Sequence, residues 1–233
     1  MQKLLFFIIN VFVVIVSYSQ NAVSDSLVYD DPKYREDQFY LALTYNFMEN
    51  KPNGMSQQGL SSGLHLGFIR DIPINQKRTL AIGVGFGYSN NSYNHNLLIR
   101  EVEDDLTYEL LSTTIDTYSK NKFNTHEVAF PIQFRWRNST IESHKFWRIY
   151  LGAKINYIFH SVVKHKGDVG NFKLRNPNSV QRFQPVIDLG FGWNTWNFYA
   201  SYSLNTLFKN SAKVEGVAIN TRAVKFGLIF YIF

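Results

Sequence analysis

The sequence predicts an all-β fold: eight antiparallel strands closed up-and-down into a transmembrane β-barrel with short periplasmic turns and long extracellular loops. Three observations predict it. Apolar and polar residues alternate in eight separate stretches, and only a strand puts residues i and i+2 on one face. The connections between the stretches are by turns short and long, as in outer-membrane barrels. Residues 1–19 have the layout of a secretory signal peptide, which gives the chain access to the envelope.

Composition agrees with this reading. A chain of 233 residues suits one domain. Aromatic residues make up 16% of it and charged residues 18%, which argues against disorder. Spread along a slightly polar chain, the apolar residues do not supply the runs of about 20 that membrane helices need. The lack of cysteine excludes disulfides, thiolate catalysis, iron–sulfur clusters, sulfur-ligated zinc and a lipid anchor on an N-terminal Cys. The net charge is +6, but the longest basic run is Lys164-His165-Lys166, so no nucleic-acid partner is expected.

At the N-terminus, Lys3 is the only early positive charge, residues 4–16 are apolar except for Asn10, and Ser17-Tyr18-Ser19 offers a cleavage site before Gln20. Residues 20–37 are polar and without period, a periplasmic leader. The barrel domain is residues 38–233.

The first strand sets Phe39, Leu41, Leu43, Tyr45 and Phe47 against Tyr40, Ala42, Thr44 and Asn46. The second, about residues 59–69, sets Leu60, Leu64, Leu66 and Phe68 against Ser61, Gly63, His65 and Gly67. In the third, Leu80, Ile82, Val84, Phe86 and Tyr88 alternate with Ala81, Gly83, Gly85, Gly87 and Ser89. The fourth, about residues 123–137, places His126, Val128, Phe130, Ile132, Phe134 and Trp136 opposite Glu127, Ala129, Pro131, Gln133, Arg135 and Arg137. Pro131 cannot donate to a ladder and is expected to mark a bulge or bend. The fifth, about residues 146–160, opposes Trp147, Ile149, Leu151, Ala153, Ile155, Tyr157 and Phe159 to Arg148, Tyr150, Gly152, Lys154 and Asn156. The sixth (about 183–193), seventh (about 196–204) and eighth (about 217–233) continue the pattern, with Ile187, Phe198 and Phe226 on the apolar face and Asp188, Tyr199 and Lys225 on the other.

The apolar face is bulky in every strand. The other collects glycines together with charges, the filling a narrow lumen requires. An apolar core would make those charges very costly, so the apolar face points to lipid. Phe39, Phe47, Tyr88, Trp136, Trp147, Phe159, Trp193 and Trp196 then form the interfacial girdles. Inside, Glu127 and Asp188 face Arg135, Arg148, Lys154 and Lys225, a lumen charge network. It either lines a small anion-selective pore or, in a barrel barely wider than its own side chains, forms an ion-paired plug, the reading favoured here.

The last strand ends Lys225-Phe226-Gly227-Leu228-Ile229-Phe230-Tyr231-Ile232-Phe233. Lys225, Gly227, Phe230, Ile232 and the terminal Phe233 resemble the signal that outer-membrane assembly machinery reads in bacterial barrels. The strand residues 127–135, the stretch Phe146-Trp147-Arg148-Ile149-Tyr150-Leu151-Gly152 and this ending resemble the small outer-membrane β-barrels of Bacteroidota, the porin family, which includes PorT-like accessories of type IX secretion and gliding. In that family a Glu stands two residues before the strand-four Pro; here that position is Ala129, and Glu127 lies one inward position earlier. The resemblance implies a protein of the cell outer membrane with both termini periplasmic. Its expected partners are outer-membrane lipids, the assembly machinery and other envelope or secretion-system proteins.

No catalytic, cofactor-binding or metal-ligating residue is predicted, and no cofactor. The six histidines His65, His95, His126, His144, His160 and His165 show no ligand spacing. Ser92, His95, His126 and Glu127 are the nearest to a hydrolytic set, a grouping that chance produces readily in a polar rim. The long loops segregate by sign: Glu101, Glu103, Asp104, Asp105, Glu109 and Asp116 in one, Lys164, Lys166, Lys173, Arg175 and Arg182 in another. The basic set could meet lipopolysaccharide phosphates. The expected function is a non-enzymatic structural or accessory barrel; a small transport pore and a lipid-modifying enzyme are the alternatives.

Overall fold

A computed structural model describes residues 36–103, 105–112, 116–138 and 147–232. The signal peptide, nearly all of the leader, the connection at 139–146 and Phe233 lie outside the described residues. Eight strands close on themselves: β1 (Glu36–Glu49), β2 (Ser62–Pro73), β3 (Leu80–Asn94), β4 (Tyr118–Arg137), β5 (Trp147–Gly167), β6 (Phe183–Trp193), β7 (Trp196–Ser203) and β8 (Arg222–Ile232). Every neighbour is antiparallel, β1 pairs with β8, and β4 pairs with β5. No strand edge is left open around the ring, as lipid demands.

The alternation in sequence becomes inside and outside. Gln38, Ala42, Thr44, Asn46 and Met48 of β1 are buried, whereas Phe39, Leu43, Tyr45 and Phe47 are exposed. The same holds on β4, where Ile132 is 59% exposed and Arg135 is 1% exposed. The exposed face is apolar and the buried face polar, the inverse of a soluble barrel. The short connections gather at one end: 74–79, the two-residue Asn194-Thr195, where Asn194 adopts φ 54°, a left-handed value that Asn tolerates, and the facing strand ends at Asn138 and Trp147, where the Asn138 amide donates to the Trp147 carbonyl at 3.0 Å. Trp136, Trp147, Trp193 and Trp196 ring this short-turn end on the outer face, with Trp147 and Trp193 centroids 5.1 Å apart.

Several strands are longer than the sequence pattern suggests. β4 has 20 residues and β5 has 21, while an apolar band needs only about 9–11 tilted residues. β2 continues to Pro73, β3 to Asn94, and β8 is shorter, starting at Arg222. The long connections are also structured. Leu97–Val102 pairs with Asp105–Leu110, Gly170–Arg175 extends the sheet from β5, and Lys213–Val214 pairs with Val217–Ala218.

Two irregularities differ from expectation. Pro131 produces no register shift: the β3–β4 ladder has no pair at Gly85 and Phe86 and resumes in the same register at Gly87↔Ala129. The missing N–H interrupts hydrogen bonding without slipping the strands. The register shifts lie elsewhere, both on the β4–β5 ladder: one between Tyr118 and Lys120, and one at a bulge. His126 opposes His160 but Glu127 opposes Ile158, so Phe159 is the extra residue. Below it the even residues of β5 point inward; above it Ser161, Val163 and His165 do.

Candidate functional site

The interior is filled in layers. Nearest the short-turn end, Asp71 of β2 is wholly buried and accepts hydrogen bonds from two guanidinium groups of β4. Arg135 Nη1 donates to Asp71 Oδ1 and Nη2 donates to Gln38 Oε1 at 3.0 Å. Arg137 Nη1 donates to Asp71 Oδ2 at 3.3 Å, and its Nε donates to the Arg78 carbonyl at 3.0 Å. The Arg135 guanidinium carbon stands 3.7 Å from the Tyr150 ring centroid and 4.9 Å from that of Tyr231. Arg148 approaches the same Tyr231 ring at 5.7 Å. Stacking on aromatic faces is what a weakly hydrated, planar cation does when water is excluded.

The middle layer holds Asp188, which accepts from Gln133 Nε2 at 2.8 Å, and Lys154, whose ammonium donates to the Tyr199 hydroxyl. Tyr40 lies along the inner wall here, over Gly67 of β2 and Gly87 of β3. A Cβ at Gly87 would lie 2.1 Å from the Tyr40 hydroxyl, and one at Gly67 would lie 2.4 Å from its ring. Those two glycines exist to admit that ring. What remains is a cavity of about 20 Å³ lined by Tyr40, His65, Gln133, Lys154, Asp188 and Tyr199, room for about one water.

The third layer centres on Glu127. Its Oε1 accepts from Asn91 Nδ2 at 2.9 Å and from Thr125 Oγ1 at 2.7 Å; its Oε2 accepts from Asn156 Nδ2 at 2.7 Å and faces Lys225 Nζ at 3.7 Å. Beside it His65 bridges Thr44 Oγ1 at 2.9 Å and Ser89 Oγ at 2.8 Å.

Above this layer the polarity inverts. Met48, Tyr93, Leu97, Ile99, Phe123, Ile158, Val163, Phe208 and Ala223 form one buried apolar cluster that closes the long-loop end. Phe123 packs at 5.3 Å from Phe208 and 6.3 Å from Tyr93. The strand extensions and the Leu97–Val102 hairpin thus make an ordinary hydrophobic core over a polar lumen. His95 is buried in this cap, and burial, partly offset by the backbone of His95 and Leu97, pulls its pKa down to about 4.

All six residues of the expected network, Glu127, Arg135, Arg148, Lys154, Asp188 and Lys225, point inward, but not as one cluster. Lys225 meets Glu127, while Arg135 meets Asp71, two residues beyond the end that the sequence pattern gives to the second strand. The continuing alternation Ile69, Asp71 inward against Arg70, Ile72 outward was the signal available for it. The hydrolytic grouping is not assembled. Glu127 points into the lumen; His126 points outward and meets Tyr88 Oη at 2.6 Å; His95 lies in the cap. The strands also bring together two histidines that sequence spacing kept apart, with His126 and His160 ring centroids 5.6 Å apart. Among the described residues there is no cluster of three or more side chains able to hold a metal. The sign-segregated loops do not pair with each other in any described ion pair; Arg100 pairs with Glu109 within one hairpin at 2.9 Å. Of the assembly signal, Gly227 faces inward against the Leu43 carbonyl, Ile232 is exposed and Phe230 packs 5.8 Å from Trp196.

A closed ring with lipid-facing apolar residues and a polar interior is matched in sequence by the outer membrane protein beta-barrel domain family, over residues 18–209. The chain belongs to that family. This outer-membrane barrel is also similar to a solved structure, Ail, the attachment invasion locus protein of Yersinia pestis, at 14% identity and a TM-score of 0.34, covering 85% of this chain and 99% of that one. At that score the strand count rests on the hydrogen-bonded ladder alone. No curated protein matches the barrel.

Proposed function

We propose that this protein is a non-conducting, non-catalytic barrel that serves a structural or accessory role in the outer membrane, its cap facing the cell exterior and both termini the periplasm. The observation that carries this reading is the double closure of the lumen: ion-paired polar layers below and an apolar core above, with a water-sized cavity of about 20 Å³ among the polar layers. A pore needs a continuous wet path, and the hydrolytic grouping of Ser92, His95, His126 and Glu127 is not assembled. The long-loop end offers surface for partners, since loops on a rigid scaffold carry recognition more often than the scaffold does. The orientation follows the asymmetry of short turns and long loops. The likeness of residues 127–135, 146–152 and the last strand to Bacteroidota barrels makes type IX secretion and gliding the first process in which to seek a PorT-like accessory role, with the end of β8 as the segment for assembly machinery.

Conductance in planar bilayers tests the plug: no unitary steps are expected, and stable, reproducible steps from the folded barrel would return the reading to a pore. Deletion of the gene, scored for secreted proteins and surface spreading, tests the accessory role. Normal secretion and motility would remove it. Comparison of lipid A with and without expression tests the enzymatic alternative.

A further inference from the structure

The outer face of the barrel at its long-loop end carries a ladder of like charges. Lys122 of β4 lies directly opposite Lys164 of β5, and Lys164 directly opposite Lys173 on the added strand Gly170–Arg175. One rung above, Lys120 opposes Lys166. One rung below, Arg175 opposes Val162, itself opposite Asn124. The Phe159 bulge makes this possible, because it turns Lys164 and Lys166 to the same side as Lys120 and Lys122. Like charges directly opposite in a sheet destabilise it, and among the described residues none of these six cations has an ion-pair partner. Two exposed cations elsewhere do have one: Arg70 pairs with Asp37 at 2.6 Å and Arg100 with Glu109 at 2.9 Å. Asp116 and Asp168, beside the ends of β4 and β5, accept from the backbone amides of Ser112 and Thr117 instead.

The ladder stands above the lipid-facing band. Tyr88, Val128 and Phe159 mark the edge of that band, with Tyr88 and Phe159 rings 6.3 Å apart. Lys122 is six residues above Val128, about 20 Å along the strand, or about 15 Å in height at the usual tilt. Arg175 sits one rung nearer the band, and the long stems of the lysines can bend down toward it. That height is above the hydrocarbon and within reach of bulky saccharide headgroups.

We propose that this face binds the phosphorylated saccharide headgroups of outer-leaflet glycolipid, with Lys122, Lys164, Lys173 and Arg175 as the phosphate contacts. The ligand supplies the negative charge that the sheet lacks, so the cross-strand repulsion is relieved only when the lipid is present. The proposal rests on the orientation given above, with the long-loop end outside.

The test uses the mature barrel in phosphatidylcholine nanodiscs doped with a bis-phosphorylated diglucosamine glycolipid or its dephosphorylated counterpart, with bound lipid counted by native mass spectrometry. The wild type should retain the phosphorylated form at least tenfold over the other. The variant Lys122→Gln/Lys164→Gln/Lys173→Gln/Arg175→Gln should lose that preference, whereas Lys209→Gln/Lys213→Gln, at the same end but off the ladder, should keep it. Folding is read from heat-modifiable gel migration. If the fourfold variant does not fold, amine acetylation of the wild type decides: the phosphorylated lipid should protect Lys122, Lys164 and Lys173 several-fold more than Lys209. Equal retention of both lipids, equal loss in the two variants, or uniform acetylation would overturn the proposal. So would complete displacement of the lipid by soluble heparin, which would assign the ladder to a soluble polyanion. Both leaflets of a nanodisc hold the lipid, so these outcomes do not depend on orientation. Antibody access to a tag at Asn171 on intact cells tests orientation separately.

Discussion

Replacing Glu127 by Gln removes one charge from the lumen and almost no volume. The carboxylate takes three hydrogen bonds and faces the buried Lys225 ammonium. A Gln oxygen can keep the bonds from Asn91 and Thr125. Its amide then confronts the Asn156 amide, but the Asn156 carbonyl has no partner of its own, so a flip of Asn156 restores that contact. The charge is not so easily replaced. Lys225 loses its counter-ion in a site closed to water, and breaking a buried pair costs about 3–5 kcal/mol. Because the hydrogen bonds can be remade, the loss should fall near the lower end, about 3 kcal/mol. Lys225→Met should cost a similar amount by stranding the carboxylate. The double variant leaves no charge uncompensated, so it should be at least about 2 kcal/mol more stable than the sum of the single losses predicts. Urea titration of the barrel in lipid vesicles, followed by tryptophan fluorescence and by compact gel migration, measures all four proteins. Additive losses, or a Glu127→Gln protein as stable as the wild type, would refute the layered, paired lumen.

Asp71→Asn should cost about as much, because Arg135 and Arg137 share that one carboxylate; a change no larger than that of the outward Ile132→Ala, whose space lipid can fill, would contradict it. The cap should loosen in acid. Closed, His95 takes up a proton only near pH 4, whereas opened it does so near 6.5. The cap's stability is therefore complete above about pH 7 and falls as the pH drops through 6.5, by about 2 kcal/mol at pH 5. Hydrogen exchange of the Leu97–Ile99 amides at both pH values reads this, and His95→Leu should abolish the difference. Removing residues 230–233 should prevent assembly and deliver the chain to periplasmic proteolysis; normal membrane yield would deny the last strand its role. A tag at Gln76 should need permeabilised cells, while one at Asn171 should not.

The membrane storey was legible because one rule, apolar outward and polar inward, holds from Phe39 to Phe47 and from Val128 to Trp136. The eight strands, the lipid face and the inward direction of Glu127 and Arg135 all follow from that period. Asp71 was missed because Arg70-Asp71 reads locally as a turn, and only the position of Arg135 across the lumen explains an acid there. The cap was missed for a different reason. Above Glu127 the strands leave the lipid, and the rule reverses. Tyr93, Phe123 and Val163 point inward while Lys122 and Lys164 point outward. Read with the lower rule, those residues look like irregular loop. The charge pairing was beyond sequence altogether, since which of four cations meets Glu127 depends on shear around the ring.

Phe159 has a consequence for how this chain can change. A bulge acts as a phase-shifter: everything in β5 beyond it is read in the opposite frame. Deleting that one residue would heal the bulge: His160 would follow Ile158 directly, every pair of the ladder would stand, and Val163 and His165 would still face inward while Lys164 and Lys166 faced out. The bulge thus holds one spare residue. A single deletion there is absorbed, whereas one in the regular run from Trp147 to Tyr157 turns the residues on one side of it to the wrong face. In this barrel the severity of a deletion is set by where it falls rather than by its length, and the most forgiving place within the β5 ladder is a phenylalanine on the outer wall.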